Sequence, residues 1–107
     1  MQGRDQAPLT RSWQKFVEEA RAGDVNGIRR ICTDQGFATL VRQAGTEPLA
    51  QALKRWGEGW SRMNVRWKSQ ENPNMMFAFV GPDSKDHCFV LVKQQDGWAV
   101  DNWLPGD

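Results

Sequence analysis

The chain has 107 residues, a length suited to one domain with a single core. Lys and Arg number 14 against 13 Asp and Glu, for a net charge of +1. That balance supplies no whole-molecule field to steer nucleic acid or an anionic membrane. No apolar run approaches the roughly 20 residues of a membrane span. Basic residues do not cluster with aromatics in any recognised nucleic-acid module, and no glycine loop of phosphate-cradling type is present. Nucleic acid and membrane are therefore not expected partners.

Two cysteines and one histidine cannot complete a four-ligand zinc site without carboxylates, and no metal-spaced cluster occurs. No metal and no cofactor are expected. Cys32 and Cys88 lie in apolar settings and read as small buried hydrophobes. The opening residues, Met1 to Pro8, carry no apolar signal core. Residues 1–9 read as a disordered lead-in to one domain over 10–107, and the expected location is cytoplasmic. Six Trp with no Tyr is an unusual aromatic set. Each indole brings a large apolar area and one N–H that wants a partner.

Taken in order, the first helix is expected from Thr10 or Ser12 to Ala22. Trp13, Phe16, Val17 and Ala20 fall on one face at i, i+3, i+4 and i+7. Gly23 supplies the stop and Asp24 caps a second helix carrying Val25, Ile28, Ile31 and Cys32. Asp34-Gln35-Gly36 reads as a break, and Phe37, Leu40 and Val41 as a short third helix ended by Gly45. Thr46 is the expected cap of a fourth helix, with Glu47 and Pro48 in its first turn. Its stripe is Leu49, Leu53, Trp56 and Trp60. Gly57 and Gly59 interrupt its end, through unwinding or close approach of another backbone.

Four strands follow. Met63 to Ser69 alternates, with Met63, Val65 and Trp67 on one side and Asn64, Arg66 and Lys68 on the other, as in a half-buried antiparallel strand. Glu71-Asn72-Pro73-Asn74 is a turn. Met75 to Val80 and Cys88 to Val92 are apolar on both faces, separated by a turn over Gly81 to Asp86. Gln95-Asp96-Gly97 signals a hairpin into a last strand, Trp98 to Trp103 or Leu104, ended by Pro105-Gly106. Helices followed by hairpin-linked strands imply α+β, with the helices on one face of an antiparallel four-stranded meander.

Three features resemble the nuclear transport factor 2-like superfamily and its cystatin-like relatives. They are the opening helix Phe16 to Ala22 ended by Gly23-Asp24 with a second helix at once, the long meander, and the closing Asp96-Gly97-Trp98-Ala99-Val100-Asp101. The resemblance implies a curved sheet wrapped around a helix, an α+β roll, with a pocket at the open end. It also implies homodimers through the outer sheet face. The family includes isomerases, cyclases, dehydratases and non-catalytic ligand binders, and fold does not choose among them. The tyrosine used by the family's ketosteroid isomerase pattern has no counterpart here.

Catalytic candidates are therefore His87, Asp101 and Glu58. A His87–Asp101 pair could abstract a proton beside a carbonyl. Near-opposite pairing around Asp96-Gly97, however, places His87 beyond Leu104, and the alternative is an exposed turn histidine. Glu58 becomes a cavity acid with a raised pKa if buried, and a solvated helix end otherwise. Strand alternation requires either Asp101 or Asn102 to face the helix side, where it lines a pocket or pairs with a helix residue. The candidate pocket residues are Trp56, Trp60, Trp67, Phe77, Asn102 and Trp103, with core packing the other role open to the tryptophans. The function expected is a non-catalytic small-ligand-binding or protein-interaction domain with an apolar pocket between the fourth helix and the sheet. A small cofactor-free enzyme with a carboxylate base and a self-associating module are the alternatives.

Overall fold

The computed structural model describes residues 2–81, 87–95 and 97–105. The expected turn over Pro82 to Asp86, Asp96 of the hairpin signal, and Gly106 of the strand stop lie outside the described residues. Four helices precede four strands: α1 Gln2–Ala22, α2 Val25–Arg30, α3 Asp34–Ala44, α4 Leu49–Trp60, β1 Val65–Ser69, β2 Met75–Val80, β3 His87–Gln94 and β4 Gly97–Leu104. The strands form one antiparallel sheet in the order β1-β2-β3-β4. The architecture is α+β, with an open meander under a helical layer.

The helix starts depart from the sequence expectation in three places. α1 begins at Gln2, not at Thr10 or Ser12, and Pro8 lies inside it. Leu9 extends the stripe of Trp13, Phe16, Val17 and Ala20 by one turn and is fully buried. Burying such a side chain contributes about 1.5–3 kcal/mol, which offsets part of the roughly 3 kcal/mol that an interior proline costs. α3 begins at Asp34, so Asp34-Gln35-Gly36 is its first turn rather than a break. Thr33 caps it, its hydroxyl accepting from Gly36 N at 3.0 Å. α4 is entered through Pro48 in extended geometry without a side-chain cap. Thr46 therefore does not cap it, and Pro48 precedes the first turn because its carbonyl already accepts from Gln51 and Ala52.

Asp24 caps α2 as its position suggested, accepting from Gly27 N at 2.9 Å. That bond comes first among the causes holding its carboxyl below the usual range, followed by a hydrogen bond with Glu19. α4 runs unbroken through Gly57 and Gly59. Gly57 is where α1 crosses: a Cβ there would lie 2.7 Å from Arg21 N. Close approach, not unwinding, is its role.

Pairing assigns the two sheet faces. Trp67 opposes Ala78, Ala78 opposes Phe89, and Phe89 opposes Trp103. This row faces the helices, together with Val80 and Leu91, and all but Trp67 are buried. Met75, Phe77, Phe79, Cys88, Val90 and Val92 alternate onto the outer face and are half-buried.

β4 contains one extra residue. Val90 pairs with Asn102 and Leu91 with Val100, which leaves Asp101 unpaired in a β-bulge. The bulge lets Trp98, Val100 and Trp103 all face the helices. The outer edge of β4 is covered as well. Thr33 N donates to Val100 O at 2.9 Å and Val100 N to Ile31 O at 3.0 Å, forming a short parallel bridge. Gly36 then packs on the same carbonyl so tightly that a Cβ would collide with it. Such cover removes an edge that could otherwise pair with another chain.

Candidate functional site

The space between α4 and the sheet is occupied by aromatic rings. Trp60 stacks on Phe16 at 5.5 Å between centroids and meets Phe89 and Trp103 edge-on, both at 5.1 Å. Trp56 closes the side, 4.8 Å from Trp103 in a T-shaped contact. These separations are those of packed aromatic pairs. Trp60 is 2% exposed and Trp103 4%. Trp56 and Trp103 therefore serve as packing here.

An open cleft of about 620 Å³ remains on the other side of Trp60, between α1, the end of α4 and β1. Its apolar floor and walls are Trp13, Val17, Trp60, Met63, Val65 and Trp67. Thr10, Gln14, Glu18 and Ser61 form the polar remainder. The cause lies in the register of α1. Its core stripe faces α4 and the sheet, while Thr10, Gln14 and Glu18 recur every four residues along the neighbouring flank. No large apolar side chain on that flank reaches β1, so Val65 and Trp67 are left half-buried.

Of the six pocket residues expected from sequence, the cleft brings together Trp60 and Trp67. Phe77 lies on the outer face, 6.3 Å from Phe79 between ring centroids. Asn102 is engaged with α3: the Thr39 hydroxyl donates to its Oδ1 at 3.1 Å, and Trp103 N donates to the same atom at 2.8 Å. Asp101 and Asn102 thus both pair with α3 or its cap, the second of the two roles that strand alternation allows one of them, because the bulge breaks parity between them. Trp13, Val17, Met63 and Val65 were not singled out as site residues. Their signal was present as the stripe of α1 and the alternation of β1, but both patterns also describe plain core.

The titratable candidates are dispersed. Asp101 accepts from the Thr33 hydroxyl at 2.7 Å and from Gln35 Nε2 at 3.3 Å, which ties the bulge to the start of α3. His87 accepts from Trp103 Nε1 at its Nδ1, at 3.3 Å. The expected His87–Asp101 pair is not brought together: a β3–β4 register that sets Cys88 opposite Leu104 carries His87 past the end of β4, while Asp101 turns to Thr33 and Gln35. Burial pushes the His87 imidazole below its ordinary pKa. Glu58 is exposed and paired with Arg62 at 3.0 Å and Arg21 at 3.5 Å. The Arg62 hydrogen bond and then the Arg21 charge lower its pKa, so it is not a cavity acid with a raised one. Burial pushes the Cys32 thiol up to about 12 and raises that of Cys88, which keeps both protonated and unreactive.

A second cleft, of about 540 Å³, opens where α1 passes the β3–β4 hairpin, with Ser12, Lys15, Arg30, Thr33, Gln94 and Trp98 among its walls. Among the described residues no group of three His, Cys, Asp or Glu is placed to hold a metal ion, and no helix is long and apolar enough to cross a membrane. No family model matches the chain, and no curated protein or solved structure matches it either.

Proposed function

We propose that the protein is a non-catalytic binding domain of the nuclear transport factor 2-like kind, which holds an apolar small molecule in the cleft between α1 and β1. The observation that carries this is the wall of three indoles with Val17, Met63 and Val65 around an open volume of about 620 Å³. Ligand sites are typically concave, mostly apolar, and of a few hundred to about a thousand Å³, with a few polar groups for orientation. Catalysis has less support. Asp101 and Glu58 are both committed to partners away from the cleft. Titration with the neutral fluorophore N-phenylnaphthylamine is expected to give saturable binding that Trp67→Ala weakens severalfold, with circular dichroism confirming that the variant folds. No saturable binding, or binding untouched by Trp67→Ala, would sink the proposal.

A second reading, self-association through the outer sheet face, is favoured by the composition of that face. Met75, Phe77, Phe79, Val90 and Val92 form a continuous half-buried apolar surface, and Leu104 at its border is 54% exposed. Soluble monomers rarely leave such a patch uncovered. Among the described strand residues the face carries its cations, Arg66 and Lys68, on β1. A second copy related by a twofold axis parallel to the strands would set β1 over the partner's β4 and keep like charges apart. Sedimentation over a concentration series is expected to show a dimer that Phe79→Lys dissociates. A concentration-independent monomer would remove this reading and leave the cleft untouched.

A further inference from the structure

We infer that the ligand of the α1–β1 cleft is an organic cation, an alkylated or aromatic amine whose apolar body lies against Trp67, Val65 and Met63 and whose ammonium group sits at Glu18. This rests on reading the cleft as a ligand site. The first support is charge. Among the described lining residues Glu18 is the one ionisable group. It lies exposed at the rim and enters no ion pair among the described residues. The nearby cations are drawn elsewhere: Lys15 is 3.3 Å from Glu19, and Arg21 and Arg62 are both held by Glu58. The described lining of the cleft thus holds one carboxylate and no cation.

The second support is the character of the apolar walls. Trp13 and Trp60 form the floor, with centroids 6.4 Å apart and planes inclined at 49°, and Trp67 rises from β1 as a wall. Indole rings carry negative potential on their faces and attract ammonium groups; Trp13 and Trp60 are packed into the core, and the half-buried ring of Trp67 is the one open to such a group. The remaining polar groups, Thr10, Gln14 and Ser61, are neutral and add no repulsion. The second cleft differs in sign: Lys15 and Arg30 line it, and it would disfavour the same ligand.

The test is calorimetric titration at low salt with three probes sharing one ring system: (naphthylmethyl)trimethylammonium, naphthylmethanol and naphthylacetate. The cation is expected to bind roughly tenfold tighter than the neutral alcohol, with the acetate weakest. Glu18→Gln, at an exposed position, should bring the cation toward the alcohol, weakening the cation severalfold more than the alcohol. Equal binding of all three, or preference for the acetate, would overturn the charge inference while the apolar site stood. A cation preference that survives Glu18→Gln would overturn the assignment to this carboxylate. Absence of binding by cation and alcohol alike would remove both the inference and the site.

Discussion

Trp60 has two unlike sides. Toward β3, β4 and the preceding turn of its own helix it meets Phe89, Trp103 and Trp56 at centroid separations of 5.1, 5.1 and 6.0 Å, and no cleft is left. Toward β1 it borders an open cleft walled by Trp67. The same residue type does both jobs. The difference comes from what the opposing element supplies. On the closed side the bulge at Asp101 turns Trp103 inward to meet the α4 rings. On the open side α1 offers Gln14 and Glu18, which stay in water. A tryptophan-rich composition therefore does not distinguish packing from binding. The complement of each indole does.

Trp103→Ala should break the closed side most severely. It removes a 4% exposed indole that stacks on Phe89 at 5.6 Å and also meets Trp56 and Trp60. A loss of about 3–5 kcal/mol is expected in urea unfolding. The contrasting change, Trp67→Ala, should cost about 1 kcal/mol, because part of that side chain already faces water. Equal costs would mean that the two sides are packed alike.

Gly36→Ala sharpens the comparison from the far edge of β4. The added methyl would collide with Val100 O and push α3 from the strand that carries Asp101 and Trp103. About 1–3 kcal/mol of destabilisation is expected in the same assay, as for overpacking at a tight contact. A neutral result would show that α3 can shift without disturbing the bulge.

The smallest effect concerns pH. Burial lowers the pKa of His87, so the fold favours its neutral form. The unfolded chain then binds more protons than the native one as pH falls below the ordinary imidazole value of 6.5. Stability should decline from there down to the lowered pKa and stop changing through this group below it. Protonation would also cost the hydrogen bond from Trp103 Nε1, since Nδ1 could no longer accept. Glu58 and Asp24 titrate in a lower window. Their pKa values are depressed, so their contributions are lost only as pH falls through values below the usual carboxylate range. Thermal melts from pH 7.5 to 5 (roughly one unit either side of a free imidazole) should show a slope in wild type that His87→Gln flattens. An unchanged slope in the variant would assign it to other groups.

Much of the candidate site was legible residue by residue and illegible as an arrangement. Trp60 and Trp67 could be named from a helical stripe and a strand alternation, because both periodicities are local. Phe77 and Asn102 lie on the same meander as Trp67, and only cross-strand register separates its two faces. Glu58 was weighed as a buried acid between two glycines. Its exposure, and its pairing with Arg21 of α1, depend on α1 crossing α4 at Gly57.

The sequence alone determined the order of elements, four helices and then a four-stranded antiparallel meander, along with the Asp24 cap and the stops at Gly23 and Gly45, where φ is 68° and 62°. These follow from side-chain periodicity and backbone preference within a few residues. Only the tertiary structure decided where α1, α3 and α4 begin, that β4 carries a bulge, and that its edge is sealed by Ile31 to Thr33. Each of these depends on partners far apart in the chain, such as Thr33 and Asp101, 68 positions apart. No local pattern encodes their meeting, because the free energy that selects it is released only when the helical layer and the sheet pack together.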